Sequence, residues 1–424
     1  MDRDFFTIFA LGLKYTPMGL IGLWRWSVWT YKKFISLFYR NYESNFSSTL
    51  SIITPVYNED PVIFKKALYS WINEKPDEII AVIDYTDIKC IQVYKKLKKK
   101  YPQLKLMVTR KPGKRQALYD GIKMSKYEII ALVDSDTIWE KDIKQKLFSP
   151  FANPKIGGVS TRQSVYKPSS ITAKLFDLDL DLRYLNDYRF LSFTSNILYC
   201  LSGRTALYRR EALVEVKDIL INETFNNNKV ISGDDKSLTL QIQNKWHAYH
   251  QEKARVYTAP LDNYIKYVNQ RVRWSRNSWR YHFRFIKQAY KTKNYYFLFY
   301  LLDKTIQPFV LMYGFICFFY SIFSNNTLLI TIFLLWWLFS RILKVLSHFR
   351  EKPKDLLIAP FFMLSNYISG IISIYSLFTI NTHNWTTRWG NNRNLSTPLH
   401  QKIIALTATL IILILLVLIG FVKS

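Results

Sequence analysis

Apolar residues are distributed unevenly along the chain and divide it into three regions. Residues 1–46 are apolar and aromatic but interrupted by charges, residues 47–290 alternate short apolar runs with polar helical stretches, and residues 291–424 hold long apolar runs. The run at 403–420 contains no charged residue, and its length suffices to cross a hydrocarbon core of about 30 Å. The pattern predicts an N-terminal helix that spans or lies on a membrane, a soluble domain, and a C-terminal region of interfacial and transmembrane helices.

Within the middle region, four apolar runs alternate with helical patterns. The predicted strands are 50–56, 78–84, 104–109 and 127–134, and the predicted helices between them are 61–74, 89–100 and 115–124. This alternation predicts an α/β domain with a mixed, mostly parallel sheet and helices on both faces. Ligands of such sheets bind beyond the carboxyl ends of the strands. Asp84, Asp134 and Asp136 follow the strands there, which favours a nucleotide site.

The C-terminal region contains four apolar segments, at 295–323, 327–346, 356–380 and 403–422. Basic residues are frequent on both sides of the third segment, and cytoplasmic loops of membrane proteins are rich in Lys and Arg. A single crossing by this segment cannot place both loops on one side. Pro360, Asn366 and Gly370 would allow the segment to turn back, so we predict an interfacial or re-entrant element buried against protein.

The net charge of +28 over 424 residues raises the question of a polyanionic partner. The basic residues crowd beside the apolar runs, which favours contact with an anionic bilayer surface. No nucleic-acid-binding module is recognisable, so nucleic acid is not an expected partner. The three cysteines, Cys90, Cys200 and Cys317, are far apart and match neither a disulfide framework nor a zinc site.

Two short motifs predict binding of a metal and a phosphate. Asp134 and Asp136 stand at alternate positions after a predicted strand, and Mg²⁺ takes one or two carboxylates together with substrate phosphates. The stretch Gly113-Lys-Arg115 precedes a predicted helix, whose N-terminus favours anions. Each motif alone is also typical of an ordinary solvated turn. Their placement beside Asp84 favours the functional interpretation.

Asp234 and Asp235 follow Gly233 at the start of another predicted helix. A carboxylate within hydrogen-bond reach of an acceptor hydroxyl can take its proton. Acidic residues at a helix start also offset the helix dipole and the unpaired amides. One aspartate can serve as the base while the other caps the helix.

Gln270, Arg273 and Trp274 are spaced so that all three lie on one helical face. A guanidinium group binds phosphate oxygens in a bidentate manner, and an indole ring can pack against a sugar. The alternative is a basic interfacial helix with tryptophan anchors, to which Arg276 and Trp279 would also belong, together with Arg280 and Arg284.

In this order, the motifs resemble those of the processive family-two glycosyltransferases, namely hyaluronan, chitin and cellulose synthases. The resemblance covers roughly residues 47–392 and is most specific for bacterial class I hyaluronan synthases. The matching stretches are Thr54-Pro-Val-Tyr-Asn-Glu-Asp60, Gly113-Lys-Arg115, Val133-Asp-Ser-Asp-Thr137, Cys200-Leu-Ser-Gly203, Tyr208-Arg-Arg210, Ile221-Asn-Glu-Thr-Phe225, Gly233-Asp-Asp235, Gln270–Trp274, Tyr375-Ser-Leu-Phe-Thr-Ile380 and Trp385-Thr-Thr-Arg388.

This resemblance implies a cytoplasmic transferase domain above a channel in the plasma membrane, with UDP-sugar donors and a growing polysaccharide as partners. Asp235 would be the general base of an inverting transfer, and Asp234 would shape its loop. The other implied roles are UDP binding by Tyr57, Asp84 and Lys114, Mg²⁺ or Mn²⁺ binding by Asp136 and Asp134, diphosphate contacts from Gln270 and Arg273, an acceptor contact from Trp274, and closure over UDP by Trp385, Thr387 and Arg388 in a gating loop at 383–400. Cys200 and Arg204 are further candidate substrate-binding residues.

Residues 1–46 hold at most one span, whereas bacterial hyaluronan synthases usually carry two, and the chain departs from this family at three further places. The family's Ser-Gly-Pro near the acceptor is Ser202-Gly203-Arg204, the gating loop has Thr386 in place of glycine, and the apolar run 403–422 is additional. We predict a synthase of hyaluronan, a capsule polysaccharide, from UDP-N-acetylglucosamine and UDP-glucuronate. The first alternative is a chitin-oligosaccharide or other single-sugar β-glycan synthase. The second, which the motifs resemble less, is a polyprenyl-phosphate glycosyltransferase.

Overall fold

The architecture is that of an α/β domain joined to long apolar helices. The structure, a computed structural model, describes residues 19–382, 399 and 402–410. The strands are β1 Leu50–Val56, β2 Glu78–Asp84, β3 Leu104–Thr109, β4 Ile129–Val133, β5 Ile138–Trp139, β6 Ile156–Val165, β7 Thr205–Arg209, β8 Thr224–Phe225, β9 Asn228–Lys229 and β10 His247–Thr258. All except β8 and β9, which pair with each other, form one eight-stranded sheet.

The sheet is mixed and mostly parallel, as the sequence predicts. Its strand order is β3-β2-β1-β4-β7-β6-β10-β5. Strands β1 to β4 pair in parallel, β6 pairs in parallel with β10, and β7 joins the two groups by antiparallel pairing on both sides. Apolar residues of β1 are buried on both faces, Ile53 against one core cluster and Ile52 against the other. Two such clusters explain why these strands lack a polar face.

Helices cover both faces of the sheet and continue into the C-terminal region. They are α1 Gly19–Ser36, α2 Pro61–Ile72, α3 Ile88–Lys98, α4 Lys114–Met124, α5 Ile143–Phe148, α6 Ile171–Leu182, α7 Tyr188–Thr194, α8 Arg210–Val216, α9 Ile219–Asn222, α10 Asp234–Ile242, α11 Tyr264–Lys291, α12 Tyr295–Phe323, α13 Thr327–Lys344, α14 Leu346–Glu351 and α15 Ala359–Phe378. Residues 402–410 are also helical. The elements predicted up to residue 134 are confirmed, with bounds that differ by at most two residues.

Three helices within the described residues are long and apolar enough to cross a membrane. They are α12, α13 and the segment Pro353–Phe378, which comprises a short 3-10 helix and α15. Helix α1 binds this region through Arg25 and Lys32, which both pair with Asp303 of α12. The choice between a spanning and an interfacial N-terminal segment stays open, because residues 1–18 lie outside the described part of the chain.

The re-entrant alternative for residues 356–380 is wrong, because α15 is one unbroken helix of 20 residues. Pro360 is tolerated in its first turn, where no backbone donor is needed. Asn366 donates within the helix to the Phe362 carbonyl at 2.6 Å. Gly370 allows a close approach to α12, since a Cβ there would lie 2.8 Å from the Met312 methyl group.

Helix α15 packs along α11 through hydrogen bonds. The Trp279 indole donates to the Ser373 carbonyl at 2.9 Å, and Arg276 donates to the Thr379 hydroxyl at 2.9 Å. Near the other end, the hydroxyl groups of Tyr267 and Ser365 lie 3.5 Å apart. Both ends of α15 therefore contact the same helix of the transferase region, and the interfacial placement of α15 stays a prediction.

Candidate active site

A cavity of about 1350 Å³ opens at the carboxyl ends of β1, β2 and β4. Every site residue that the sequence predicts, and that lies within the described part of the chain, lines this cavity. They are Tyr57, Asp84, Lys114, Asp134, Asp136, Cys200, Arg204, Asp234, Asp235, Gln270, Arg273 and Trp274. Trp385, Thr387, Arg388 and the rest of the proposed gating loop, except residue 399, lie outside the described residues.

Lys114 forms ion pairs with one candidate metal ligand, Asp134, and with one of the two candidate catalytic aspartates, Asp234. The lysine opens α4, and its Nζ lies 2.8 Å from Oδ1 of Asp134 and 3.2 Å from Oδ2 of Asp234. Burial opposes the charge, but these two carboxylates outweigh it and raise the pKa of Lys114. The ammonium group therefore stays charged and holds the end of β4 against the start of α10.

Gly203 makes room for this contact. A Cβ at residue 203 would lie 2.9 Å from Nζ of Lys114 and 3.6 Å from Oδ1 of Asp134. Either the lysine or the backbone would then have to move. The glycine of Ser202-Gly203-Arg204 thus leaves the Lys114 ammonium group in place for its ion pairs, independently of any acceptor.

Asp134 and Asp136 fit the donor set of a hard divalent cation. Burial, together with the neighbouring charge of Asp136, raises the pKa of Asp134 despite the opposing effect of Lys114. Asp136 is 9% exposed, and its carboxylate lies at the limit of hydrogen-bond distance, 3.5 Å, from the hydroxyl groups of Thr137 and Thr258. Two carboxylates that face a cavity suit Mg²⁺ or Mn²⁺ when substrate phosphates complete the coordination.

A second acidic group, Asp177, Asp181 and His348, also has ligand atoms within 4.8 Å of one another. Its atoms are, however, already engaged by neighbouring side chains. Lys352 binds Asp177, Arg162 binds Asp181 at 2.9 Å, and Nε2 of His348 lies 3.2 Å from Asp355. We interpret this group as a buried ion-pair network that fastens the segment 345–358 to α6 rather than as a metal site.

The two adjacent aspartates have different surroundings. Gly233, at φ +82°, turns the chain into α10. Although burial opposes its ionisation, Lys114 and Arg115 lower the pKa of Asp234. Asp235 is half-buried, lines the cavity and accepts a hydrogen bond of 2.8 Å from the backbone amide of Lys236. Asp234 thus forms an ion pair with Lys114, whereas the Asp235 carboxylate is half-buried at the cavity wall.

Cys200 lies beside the candidate base. Burial, and then the Asp235 carboxylate to which the thiol is hydrogen-bonded, raises the pKa of Cys200. The sulfur therefore remains a thiol. A thiol in this position helps to hold Asp235 and is not itself a nucleophile.

Helix α11 presents Gln270, Arg273 and Trp274 to the cavity, as their spacing predicts. Oε1 of Gln270 is buried and has no hydrogen-bond partner among the described residues. A buried acceptor without a partner is costly, which fits a site that is completed by a ligand. The interpretation of Arg276 and Trp279 as membrane-surface anchors is wrong, because both side chains are buried against α15.

Sequence reasoning assigned no role to Glu223, although its motif was recognised. The buried carboxylate accepts hydrogen bonds from Arg115 at 2.8 Å, from Tyr281 at 2.6 Å and from Ser237 at 2.8 Å. Arg284 also binds it, at 2.6 Å. Glu223 therefore joins α4, α10 and α11 behind the cavity. The buried position and its cationic partners became visible only in the tertiary structure.

Replacing Glu223 with glutamine should destabilise the protein by about 3 kcal/mol, because Arg115 would be left as a buried charge without its counterion. Burial opposes ionisation, but Arg115 and the hydrogen bonds lower the pKa of Glu223. The stabilisation is therefore present above the ordinary glutamate pKa of about 4.3 and is lost as pH falls through the folded-state value. Thermal unfolding in detergent would measure the difference between wild type and Glu223→Gln.

The matched control for this measurement is Glu215→Gln. Glu215 pairs with Lys245 at the surface, where the two side chains are 45% and 68% exposed. Such a pair contributes about 0–1 kcal/mol. Equal, small shifts for the two variants would contradict a structural role for Glu223.

The model of the family described as "Glycosyltransferase like family 2" matches residues 48–277. The chain belongs to this family. A "Type 2 glycosyltransferase" of Zymoseptoria tritici is 27% identical over 363 residues, which cover 80% of this chain and 75% of the relative. An "NDP-glycosyltransferase ltbB" of Aspergillus luteorubrus is 26% identical, with 89% of this chain and 99% of the relative covered. The predicted activity class, a glycosyltransferase, is confirmed.

Two further similarities concern a bacterial relative and a solved structure. An "N-acetylglucosaminyltransferase" of Rhizobium meliloti is 26% identical, with 54% of this chain and 56% of that protein covered. The mannosyltransferase PcManGT of Pyrobaculum calidifontis, solved with GDP-mannose and Mn²⁺, has a TM-score of 0.53 at 16% identity and covers 86% of this chain and 98% of its own. The latter likeness confirms the fold, and the predicted hyaluronan synthase specificity stays a prediction.

Proposed function

We propose that this protein polymerises UDP-sugars into a β-linked polysaccharide and delivers the product to the membrane, with hyaluronan as the first candidate. One observation carries the proposal. The cavity that contains Asp84, Asp136 and Asp235 is also lined by Gln307 and Leu311 of α12 and by Ser369 of α15. A continuous cavity from the donor residues to the apolar helices suits a long acceptor that stays bound between transfers.

In the proposed reaction, Asp235 accepts the proton of the acceptor hydroxyl as that oxygen attacks the anomeric carbon of the donor sugar. The attack inverts the configuration, and UDP departs, so no enzyme nucleophile is required. Trp274 supports the acceptor sugar, while Gln270 and Arg273 contact the diphosphate. Tyr57 and Asp84 would hold the uridine.

Asp136 and Asp134 would hold a divalent cation, and Lys114 orients Asp134. The bound ion would neutralise charge on the departing diphosphate. The similar mannosyltransferase, which was solved with Mn²⁺ and a nucleotide sugar, supports a cation of this kind without distinguishing Mn²⁺ from Mg²⁺. Trp385, Thr387 and Arg388 are proposed to close over UDP, and the positive loops support a plasma-membrane protein with its transferase domain in the cytoplasm.

A second candidate is a single-sugar β-glycan synthase of the chitin-oligosaccharide type. The similarity to an N-acetylglucosaminyltransferase of Rhizobium meliloti favours this candidate. It differs from the first in needing one donor, UDP-N-acetylglucosamine, rather than two.

Supplying the donors separately and together would separate these candidates. Membranes that contain the protein should form high-molecular-weight polymer only when UDP-glucuronate and UDP-N-acetylglucosamine are both present, because hyaluronan alternates the two sugars. Polymer from UDP-N-acetylglucosamine alone would exclude hyaluronan and support the second candidate. A product that partitions into organic solvent would instead support transfer to a polyprenyl phosphate. Membranes with Asp235→Asn provide the background.

A further inference from the structure

Three guanidinium groups surround the indole ring of Trp274. The central carbons of Arg204, Arg271 and Arg183 lie 5.1, 5.5 and 5.8 Å from the ring centroid. All four side chains line the cavity. One cation over an aromatic face is common, but three cations at one ring repel one another and require a reason.

The neighbouring carboxylates neutralise this cluster incompletely. Arg271 pairs with Asp179. Arg183, in contrast, has no carboxylate within ion-pair distance among the described residues. It lies in a single π-helical turn, Arg183–Asp187, which follows α6 and directs the residue into the cavity wall. Irregular turns of this kind often occur at functional sites.

Arg204 brings a second guanidinium group to the ring. Its Nη1 donates to the uncharged amide oxygen of Gln163 at 2.6 Å, and its guanidinium lies over Trp274 and Phe176. Arg204 is only 6% exposed. This arginine occupies the position at which the synthases that the chain resembles have proline, so the charge is a feature of this sequence and not of the shared motif.

Lys236 extends the positive region towards the catalytic candidate. Its Nζ lies 3.6 Å from the centroid of the Tyr199 ring, and no carboxylate of the described residues lies within ion-pair distance. Burial, together with the charges of Arg183 and Lys304, lowers the pKa of Lys236 to about 8. Cys200 and the Asp235 carboxylate oppose this shift without cancelling it, so burial is its main cause.

A buried cation such as Arg183, which has no carboxylate within ion-pair distance among the described residues, is costly unless an anion accompanies it. A guanidinium group is geometrically matched to the two oxygens of a carboxylate or a phosphate, and the match is strongest where water is excluded. A sugar that packs against Trp274 would bring any acidic substituent within reach of Arg183 and Arg204. The cluster thus has the composition of a subsite for an anion.

We propose that the acceptor site around Trp274 recognises an anionic group, a carboxylate or a phosphate, through Arg183 and Arg204. This inference rests on the proposed function for the placement of the acceptor at Trp274. It narrows that function to acceptors with an acidic group close to the reacting sugar, as a uronate residue or a lipid phosphate would supply.

Equilibrium binding to the full-length protein in detergent would test the proposal with two matched pairs of probes. The first pair is hyaluronan tetrasaccharide and its carboxyl methyl ester, and the second is farnesyl phosphate and farnesol. In one of the two pairs, the anionic probe should bind about tenfold more tightly than its uncharged partner, which is the effect of a charged hydrogen bond. The pair that shows this preference identifies the recognised group as a carboxylate or a phosphate. No preference for charge in either pair, or no binding of either anion, would overturn the proposal.

Variants assign the preference to the two arginines. Arg183→Gln and Arg204→Gln should each reduce the preference for the anion about tenfold, whereas Arg204→Lys should retain part of it. Arg40→Gln changes an exposed arginine that is not among the cavity residues and should leave both affinities unchanged. Retained UDP binding would establish that a variant is folded, and an unaltered preference in both glutamine variants would refute the assignment.

These measurements are made without a donor, so their outcome is independent of polymer synthesis. A charge preference without polymerisation would contradict the proposed function and leave the anion site standing. Polymerisation without a charge preference would support the proposed function and overturn the anion site.

Discussion

Asp235→Asn should abolish sugar transfer, with a decrease in kcat of about 10²–10⁴-fold, while UDP still binds. Asparagine preserves the size of the side chain and can still accept the hydrogen bond from the Lys236 amide, but its amide cannot take a proton from an acceptor hydroxyl. A general base contributes to the rate by about this factor. Transfer measured with radiolabelled donor, beside UDP affinity from equilibrium binding, would provide both quantities.

Two further aspartate variants make this result interpretable. Asp234→Asn should affect both quantities, because the loss of its pair with Lys114 disturbs a residue of the donor site. Asp218→Asn should affect neither, since the Asp218 side chain is 57% exposed and lies outside the cavity lining. If Asp235→Asn retained the turnover of wild type, Asp235 would not be the base.

The second large effect concerns Asp136. Asp136→Asn, like the removal of divalent cations with EDTA, should reduce transfer by at least about 10²-fold, because the leaving diphosphate would lose several kcal/mol of charge stabilisation. The variant should also require much more Mn²⁺ for UDP binding. Titration of Mn²⁺ against UDP binding would detect that change without reference to turnover.

Asp181→Asn distinguishes the two acidic groups of the molecule. Asp181 binds Arg162 and His348 in the network beneath the cavity, so its loss should lower the melting temperature and leave the Mn²⁺ dependence unchanged. Burial opposes its charge, but His348 and Arg162 lower the pKa of Asp181, as expected for a carboxylate in an ion-pair network. A shifted Mn²⁺ requirement in Asp181→Asn alone would place the cation at the network instead.

Much of the candidate site could be predicted from the sequence because its signals are local. Asp84 and Asp136 follow apolar runs that can only be buried strands, and a parallel sheet brings the carboxyl ends of such runs to one edge. Gln270 and Trp274 share a helical face whatever the helix packs against. For the same reason, the order and type of the elements up to residue 134 could be read from periodicity.

Other properties depend on contacts that periodicity does not report. The pattern of α11 is equally typical of a helix on a membrane surface, and only its packing shows that Arg276 and Trp279 are buried against α15. Pro360 and Gly370 suggested a break in α15, but the helix is continuous. Pro360 lies in the first turn, where no backbone hydrogen-bond donor is needed, and Gly370 permits close contact with α12.

The sequence by itself determined the class of fold, the acids at the strand ends and the helical face of Gln270 and Trp274, because each follows from the spacing of neighbouring residues. The resemblance assigned Asp235 as the base, but only the tertiary structure showed a physical difference between the two aspartates, the ion pair of Asp234 with Lys114, which is remote along the chain. Only the tertiary structure, likewise, showed that Arg183 and Arg204 lie beside the Trp274 ring. Electrostatic interactions and burial depend on which side chains lie close together, and the spacing of residues along the chain does not specify that for residues far apart in sequence.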